Sequence, residues 1–174
     1  CIRDRTVRAL RELFTAAPVT MHGRHVRLEG ARCDPAPIQS SLPLWIGGGG
    51  EQRTIPMAAR IADGWNIPMA TVEDFRHKVG LLNDAAAAAG RSSGAIERSV
   101  GVGLCWDESQ LRERFGERSE ILRPSILSGS TEEVIDRVGG YRDAGADWLF
   151  VSVRAPFDTE GLERFASDVM PAMS

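Results

Sequence analysis

The chain has 174 residues, 43% hydrophobic and 26% charged, with a formal net charge of −3. That balance suits a globular domain with a sizeable core and excludes a strongly basic nucleic-acid binder. No apolar run reaches the length of a membrane span, and the opening Cys1-Ile2-Arg3-Asp4-Arg5 lacks the apolar stretch of a secretory leader. Cys1, Cys33 and Cys105 are far apart and odd in number, so free thiols and a cytoplasmic setting are expected. Of the 21 basic residues one is a lysine, Lys78, a skew read as coding bias. The chain opens without Met in a helical pattern, from which a portion of a longer polypeptide is expected.

Val7, Leu10 and Phe14 recur at helical spacing and predict an amphipathic helix over 2–14, ended by Pro18. Residues 19–32 read as two short extended pieces around His22-Gly23-Arg24-His25. Pro35, Pro37 and Pro43 mark an extended connection. Leu44-Trp45-Ile46 predicts a strand, and Ile55, Ala58, Ala59 and Ala62 a helix face. Gly64-Trp65-Asn66-Ile67 predicts a second strand ending at Pro68, and Thr71 caps a helix carrying Phe75, Val79 and Leu82 that Gly90 stops. Residues 98–106 predict a third strand and 107–128 a charged helical insertion. Ser130 to Glu133 form a capping box opening a helix with Val134, Ile135, Val138 and Tyr141. Trp148 to Val153 predict a continuous buried strand, followed by a helix from about Thr159 with Leu162, Phe165 and Val169 inward. Strands alternating with helices predict a parallel sheet or barrel, and no shift in composition divides the chain into domains.

The informative stretch is Gly47-Gly48-Gly49-Gly50 between the first predicted parallel strand and its helix. A glycine turn at a helix N-terminus leaves backbone N–H groups unpaired and lets an anion approach closely; a phosphate is the natural occupant. Arg53 can add a charge-assisted bond and Thr54 a hydroxyl. A dinucleotide fingerprint needs glycine at its first, third and sixth positions; counted from Gly47 or Gly48 the sixth is Gln52 or Arg53, so it fails. The phosphate loop of nucleotide hydrolases fails for want of its Gly-Lys pair. A ligand-free structural turn is the alternative.

Pro43 to Glu51 followed by Ala58-Ala59-Arg60-Ile61-Ala62-Asp63-Gly64-Trp65-Asn66 resembles the bacterial luciferase-like monooxygenase family, and within it the members that use the deazaflavin coenzyme F420. Leu10 to Phe14, Pro18-Val19-Thr20, Gly23-Arg24-His25, Gly129 to Val134 and Ala144-Gly145-Ala146-Asp147 fit the same family, so the resemblance runs through nearly the whole chain. It implies a (β/α)₈ barrel, which takes about 250 residues when complete. The four predicted strands then correspond to the C-terminal half of the barrel: one partial-barrel domain over 1–174, made of helix four and strand–helix units five to eight. It implies a cofactor, F420 or alternatively FMN, with its phosphate against Gly47, Gly48, Gly49, Gly50 and, more weakly, Arg53. It also implies hydride transfer to or from a small organic substrate, the cofactor carrying the chemistry. Pro56 departs from the family's usual helix former and fits best in the first helical turn.

Strand ends form the functional face of such barrels, which makes Asn66 and Arg154 the substrate-facing candidates. Their structural alternatives are a satisfied amide for Asn66 and an ion pair with Asp158 for Arg154. His22 and His25 are expected on an exposed loop without metal, His77 in solvent, and Cys105 as a small core residue. Trp45, Trp65, Trp106 and Trp148 are expected on strands, packed under helices. No residue stands out as a catalytic acid or base. A half barrel leaves an open interior, so pairing with a second copy, or completion by the missing N-terminal half, is expected. The isolated chain is expected to be inactive. Competing readings are a barrel enzyme holding a phosphorylated substrate at the same turn, and a non-catalytic assembly module.

Overall fold

The computed structural model describes residues 2–15, 17–153, 155 and 157–173. Helix α1 (Ile2–Leu13) leads into an antiparallel hairpin, β1 (Val19–His22) and β2 (Arg27–Ala31), with the expected histidine turn exposed at its tip. There follow β3 (Trp45–Gly47), α2 (Thr54–Ile61), β4 (Gly64–Pro68), α3 (Val72–Ala88) and β5 (Glu97–Leu104). After them come α4 (Glu108–Phe115), α5 (Ser119–Leu122), β6 (Ile126–Leu127), α6 (Thr131–Asp143), β7 (Trp148–Ser152) and α7 (Thr159–Arg164). Beyond α7 the chain winds on through a π turn, Phe165–Val169, and a 3₁₀ turn, Met170–Met173.

Strands β3, β4, β5 and β7 lie side by side in that order, each parallel to the next. The capping signals explain several boundaries. Thr71 accepts from the Asp74 N–H, and Ser130 and Glu133 close both bonds of the capping box. Pro56 is the third residue of α2, where its missing N–H has no partner to lose. The insertion differs from expectation in holding the two-residue strand β6, which pairs with Gly103 and Leu104. Since β7 pairs with the opposite side of Gly103, β6 continues on the side of β4, past its end at Pro68. Two residues are too few to show a period in the sequence.

Side chains alternate between the sheet faces. Ile46, Trp65, Ile67, Val100, Val102 and Leu104 face helices α2, α3 and α6 and are buried. Trp65 stacks on Phe75 with ring centroids 5.9 Å apart, Phe75 meets Tyr141 edge-on at 6.1 Å, and Tyr141 Oη donates to the Ala70 carbonyl at 2.7 Å. Trp45, Gly47, Asn66, Pro68, Ser99, Gly101, Trp148, Phe150 and Ser152 share the other face by register. Among the described residues, Phe115 of α4 reaches this face at Gly103, while Trp45, Trp148 and Phe150 stay 37%, 52% and 51% exposed. This corrects two expectations: β7 is half-buried on one side and exposed on the other, and of the four tryptophans only Trp65 is a buried strand residue. Trp106 lies in the loop after β5, donates to the Gly161 carbonyl at 2.8 Å, and lies under the Arg164 guanidinium.

Candidate functional site at the C-terminal ends of the strands

Because the four strands are parallel, the glycine turn, Met69–Ala70 and Cys105–Asp107 all emerge at one rim of the sheet. The turn is anchored to the neighbouring strand. Gly48 N–H donates to the Asn66 carbonyl at 2.8 Å, and the buried Trp65 indole donates to the Gly48 carbonyl at 3.0 Å. Beyond Gly48 the chain swings wide into α2, with the N–H groups of Thr54 and Ile55 sharing the Gly50 carbonyl. Among the described residues, the N–H groups of Gly49, Gly50, Glu51, Gln52 and Arg53 have no acceptor. These are consecutive donors at the positive end of a helix, four of them on exposed residues.

The four glycines have different reasons to be glycine. Gly48 has φ +119°, a conformation that side chains rarely adopt, and a Cβ on Gly49 would come within 2.7 Å of Ile67 Cδ1. At Gly50 a Cβ would press on the Thr54 hydroxyl at 3.0 Å. At Gly47, on the same face as Trp45, nothing lies within 4 Å of where a Cβ would stand. Gly47 is therefore the one position of the four where a side chain would meet open space and not the protein.

The other predicted site residues fare unevenly. Arg53 is the N-cap of α2, makes no capping bond with its side chain, and lines a shallow surface hollow with Asp4, Gln52, Pro56 and Arg60. Thr54 is buried against the turn. Asn66 lies within β4 on the same face as Trp45, half-buried, and donates through Nδ2 to Ser99 Oγ at 2.7 Å. The structure thus brings Gly47 and Asn66 side by side in register. Arg154 lies outside the described residues. Asp158, its expected partner, pairs with Arg114 at 3.3 Å. Cys105 is buried, and burial pushes its thiol above the ordinary value. Cys1 also lies outside the described residues, and no metal-binding cluster occurs among those described.

Two features of the rim escaped the sequence. Met69 follows β4 with φ +53°, uncommon for a side-chain-bearing residue, and its N–H donates to the Gly101 carbonyl at 2.6 Å. Lys78 reaches from α3 to the turn, its Nζ 2.9 Å from Glu51 Oε1 and 3.3 Å from Asp74 Oδ1. Burial pulls the Lys78 pKa down, but the bonds to Glu51 and Asp74 outweigh it and hold the group above the usual lysine value. The Lys78 bond in turn holds the Glu51 carboxyl below its ordinary value. The signal available beforehand was that this position alone carries lysine in an arginine-rich chain.

Comparison with known proteins places this rim in context. The model of the luciferase-like monooxygenase family matches residues 4–114. An uncharacterized protein of Mycobacterium tuberculosis is 34% identical over 133 residues, which is 76% of this chain and 45% of that protein. The F420-dependent glucose-6-phosphate dehydrogenase of Kineococcus radiotolerans is 24% identical over 199 residues, 96% of this chain and 58% of that enzyme. The chain thus spans about half the length of these curated relatives. Among solved structures, the coenzyme F420 dependent tetrahydromethanopterin reductase of Methanopyrus kandleri superposes with a TM-score of 0.81 at 19% identity. That match covers 99% of this chain and 63% of the reductase. An F420-dependent secondary alcohol dehydrogenase bound to an F420–acetone adduct gives 0.83 at 17% identity, covering 98% of this chain and 60% of that one. Parallel strands, covering helices and the glycine-turn rim agree with the family match: the chain belongs to the luciferase-like monooxygenase family.

Proposed function

We propose that this chain is the C-terminal, cofactor-phosphate-binding part of an F420-dependent oxidoreductase that transfers hydride between the deazaflavin and a small organic substrate. The run of free N–H groups from Gly49 to Arg53, at the rim of a parallel sheet, carries this reading. The residues present fit the phosphoryl end of the cofactor: exposed donors, a helix N-terminus and an open surface above Gly47. F420 is preferred to FMN because F420-dependent enzymes stand among both the sequence relatives and the solved structures. When bound, the cofactor supplies the hydride chemistry.

The chain's own work is to bind and orient. The amides of 49–53 hold the phosphoryl group, Trp65 and Asn66 fix the turn that presents them, Arg53 and Asn66 are the ligand contacts on this side, and Arg154 is assigned to ligand from the sequence alone. The sheet face with Trp45, Trp148 and Phe150 is the barrel interior. It is closed by the N-terminal half of the barrel or by a second copy, and the chain alone does not turn over. A cytoplasmic setting accords with free Cys33 and Cys105.

Titrating F420 and, separately, FMN into the protein while following cofactor fluorescence and the backbone amide resonances tests the proposal. Shifts at Gly49–Arg53 that Gly47→Val abolishes are expected. Shifts with a phosphorylated substrate but with neither cofactor would favour the competing barrel enzyme. Light scattering of the chain alone separates a self-paired dimer from a monomer awaiting its other half.

A further inference from the structure

Several carboxylates near helix starts in this chain take up loose backbone donors. Asp107 accepts the Ser109 N–H at 2.8 Å, Asp158 the Gly161 N–H at 2.8 Å, and Glu133 the Ser130 N–H at 2.7 Å. Glu51 does otherwise, although loose donors surround it. It sits amid the donors of 49–53, it is the only acidic residue between Gly47 and Arg53, and its side chain accepts from none of them. Its Oε1 is instead drawn to Lys78 Nζ at 2.9 Å, with His77 Nε2 at 3.5 Å from the same oxygen. The Lys78 stem runs beneath the turn, since a Cβ on Gly49 would lie 3.2 Å from Cε. The Lys78 side chain is only 12% exposed, and Asp74 holds its far side.

We propose that Lys78 is a positioning residue that tethers Glu51 away from the glycine turn, so that an external phosphoryl group and not this internal carboxylate takes the free amides. Released from Lys78, Glu51 would be the nearest acceptor for those donors and would set a second negative charge beside any phosphate. The inference rests on the turn being the phosphoryl site, and the test separates the two.

The isotope-labelled chain is titrated with inorganic phosphate and with F420, and the Gly49–Arg53 amide resonances are followed. Lys78→Met keeps the aliphatic stem and removes the charge; it is expected to weaken both ligands about tenfold. Adding Glu51→Gln to Lys78→Met is expected to restore affinity to within about twofold of the parent, a rescue that a purely structural lysine would not show. Glu51→Gln alone should bind as well as the parent or better, and Lys78→Arg should retain binding. Unchanged affinity in Lys78→Met overturns the tether and leaves the phosphoryl site standing. Weak binding that Glu51→Gln does not rescue also overturns it, by making Lys78 a ligand contact or a prop. A parent chain whose turn amides respond to neither ligand overturns both readings.

Discussion

The two ends of the sheet are built on opposite rules. At the N-terminal ends, two aspartates take up backbone donors at the strand starts. Asp63 accepts from Arg11 Nη2 and from the Leu44 N–H, each at 2.8 Å, and Arg11 also reaches the Ile61 carbonyl. Asp147 accepts the Arg98 N–H at 2.8 Å and returns its own N–H to the Arg98 carbonyl. At the C-terminal ends, consecutive amides stay free, Gly48 and Met69 hold positive φ, and a carboxylate is turned aside. The first rim is closed by its own bonds, and the second leaves a run of donors open, the opening that the proposed phosphoryl site uses.

The largest expected effect crosses both ends. Trp65→Ala empties the centre of the helix-facing core and removes the indole bond to Gly48, and it should lower stability by about 3–5 kcal/mol by denaturant unfolding. Ligand binding should fall with it. Asp63→Ala strikes only the first rim: about 2 kcal/mol of stability is lost, while the turn amides keep their response to phosphate. Loss of that response would show that the ends are not independent.

Tyr141 offers a pH test. Burial pushes its hydroxyl up to about 12 from an ordinary value of 10.0. The folded pKa is raised, so this stabilisation is intact below pH 10 and disappears as pH climbs toward about 12. Tyr141→Phe should remove that alkaline dependence and cost about 1 kcal/mol at neutral pH, because the Ala70 carbonyl loses its donor. The smallest effect on the fold is the most telling for the site. Gly47→Val should change stability by less than about 0.5 kcal/mol and still abolish cofactor binding.

Much of the fold was legible because its elements carry strong local signals. Thr71 and Ser130 announce helix starts, and Phe75, Val79 and Leu82 keep helical period. The glycine turn was legible as a turn because four consecutive glycines stand between an apolar run and a helical period. Trp45 and Trp148 were misread for a different reason. An apolar residue shows that a face wants cover, but whether cover is present depends on partners that local sequence does not encode. Asn66 was counted with the residues at the strand's end, yet it pairs with Ser99 two residues before that end, because β4 runs on to Pro68 as its sequence predicted. Lys78 escaped because it stands three residues after Phe75 and four before Leu82, at the edge of the buried face, where spacing gives no sign of a polar partner, and its contact with Glu51 spans 27 residues.

The aspartate staples have a consequence of their own. Asp63 and Asp147 each open a strand that starts with or soon reaches tryptophan, and each bonds to a backbone amide at the start of the adjacent strand. The same fastening used twice fixes how neighbouring strands align at that end. Loops at the opposite rim can then change in length or sequence without putting the alignment of the sheet at risk.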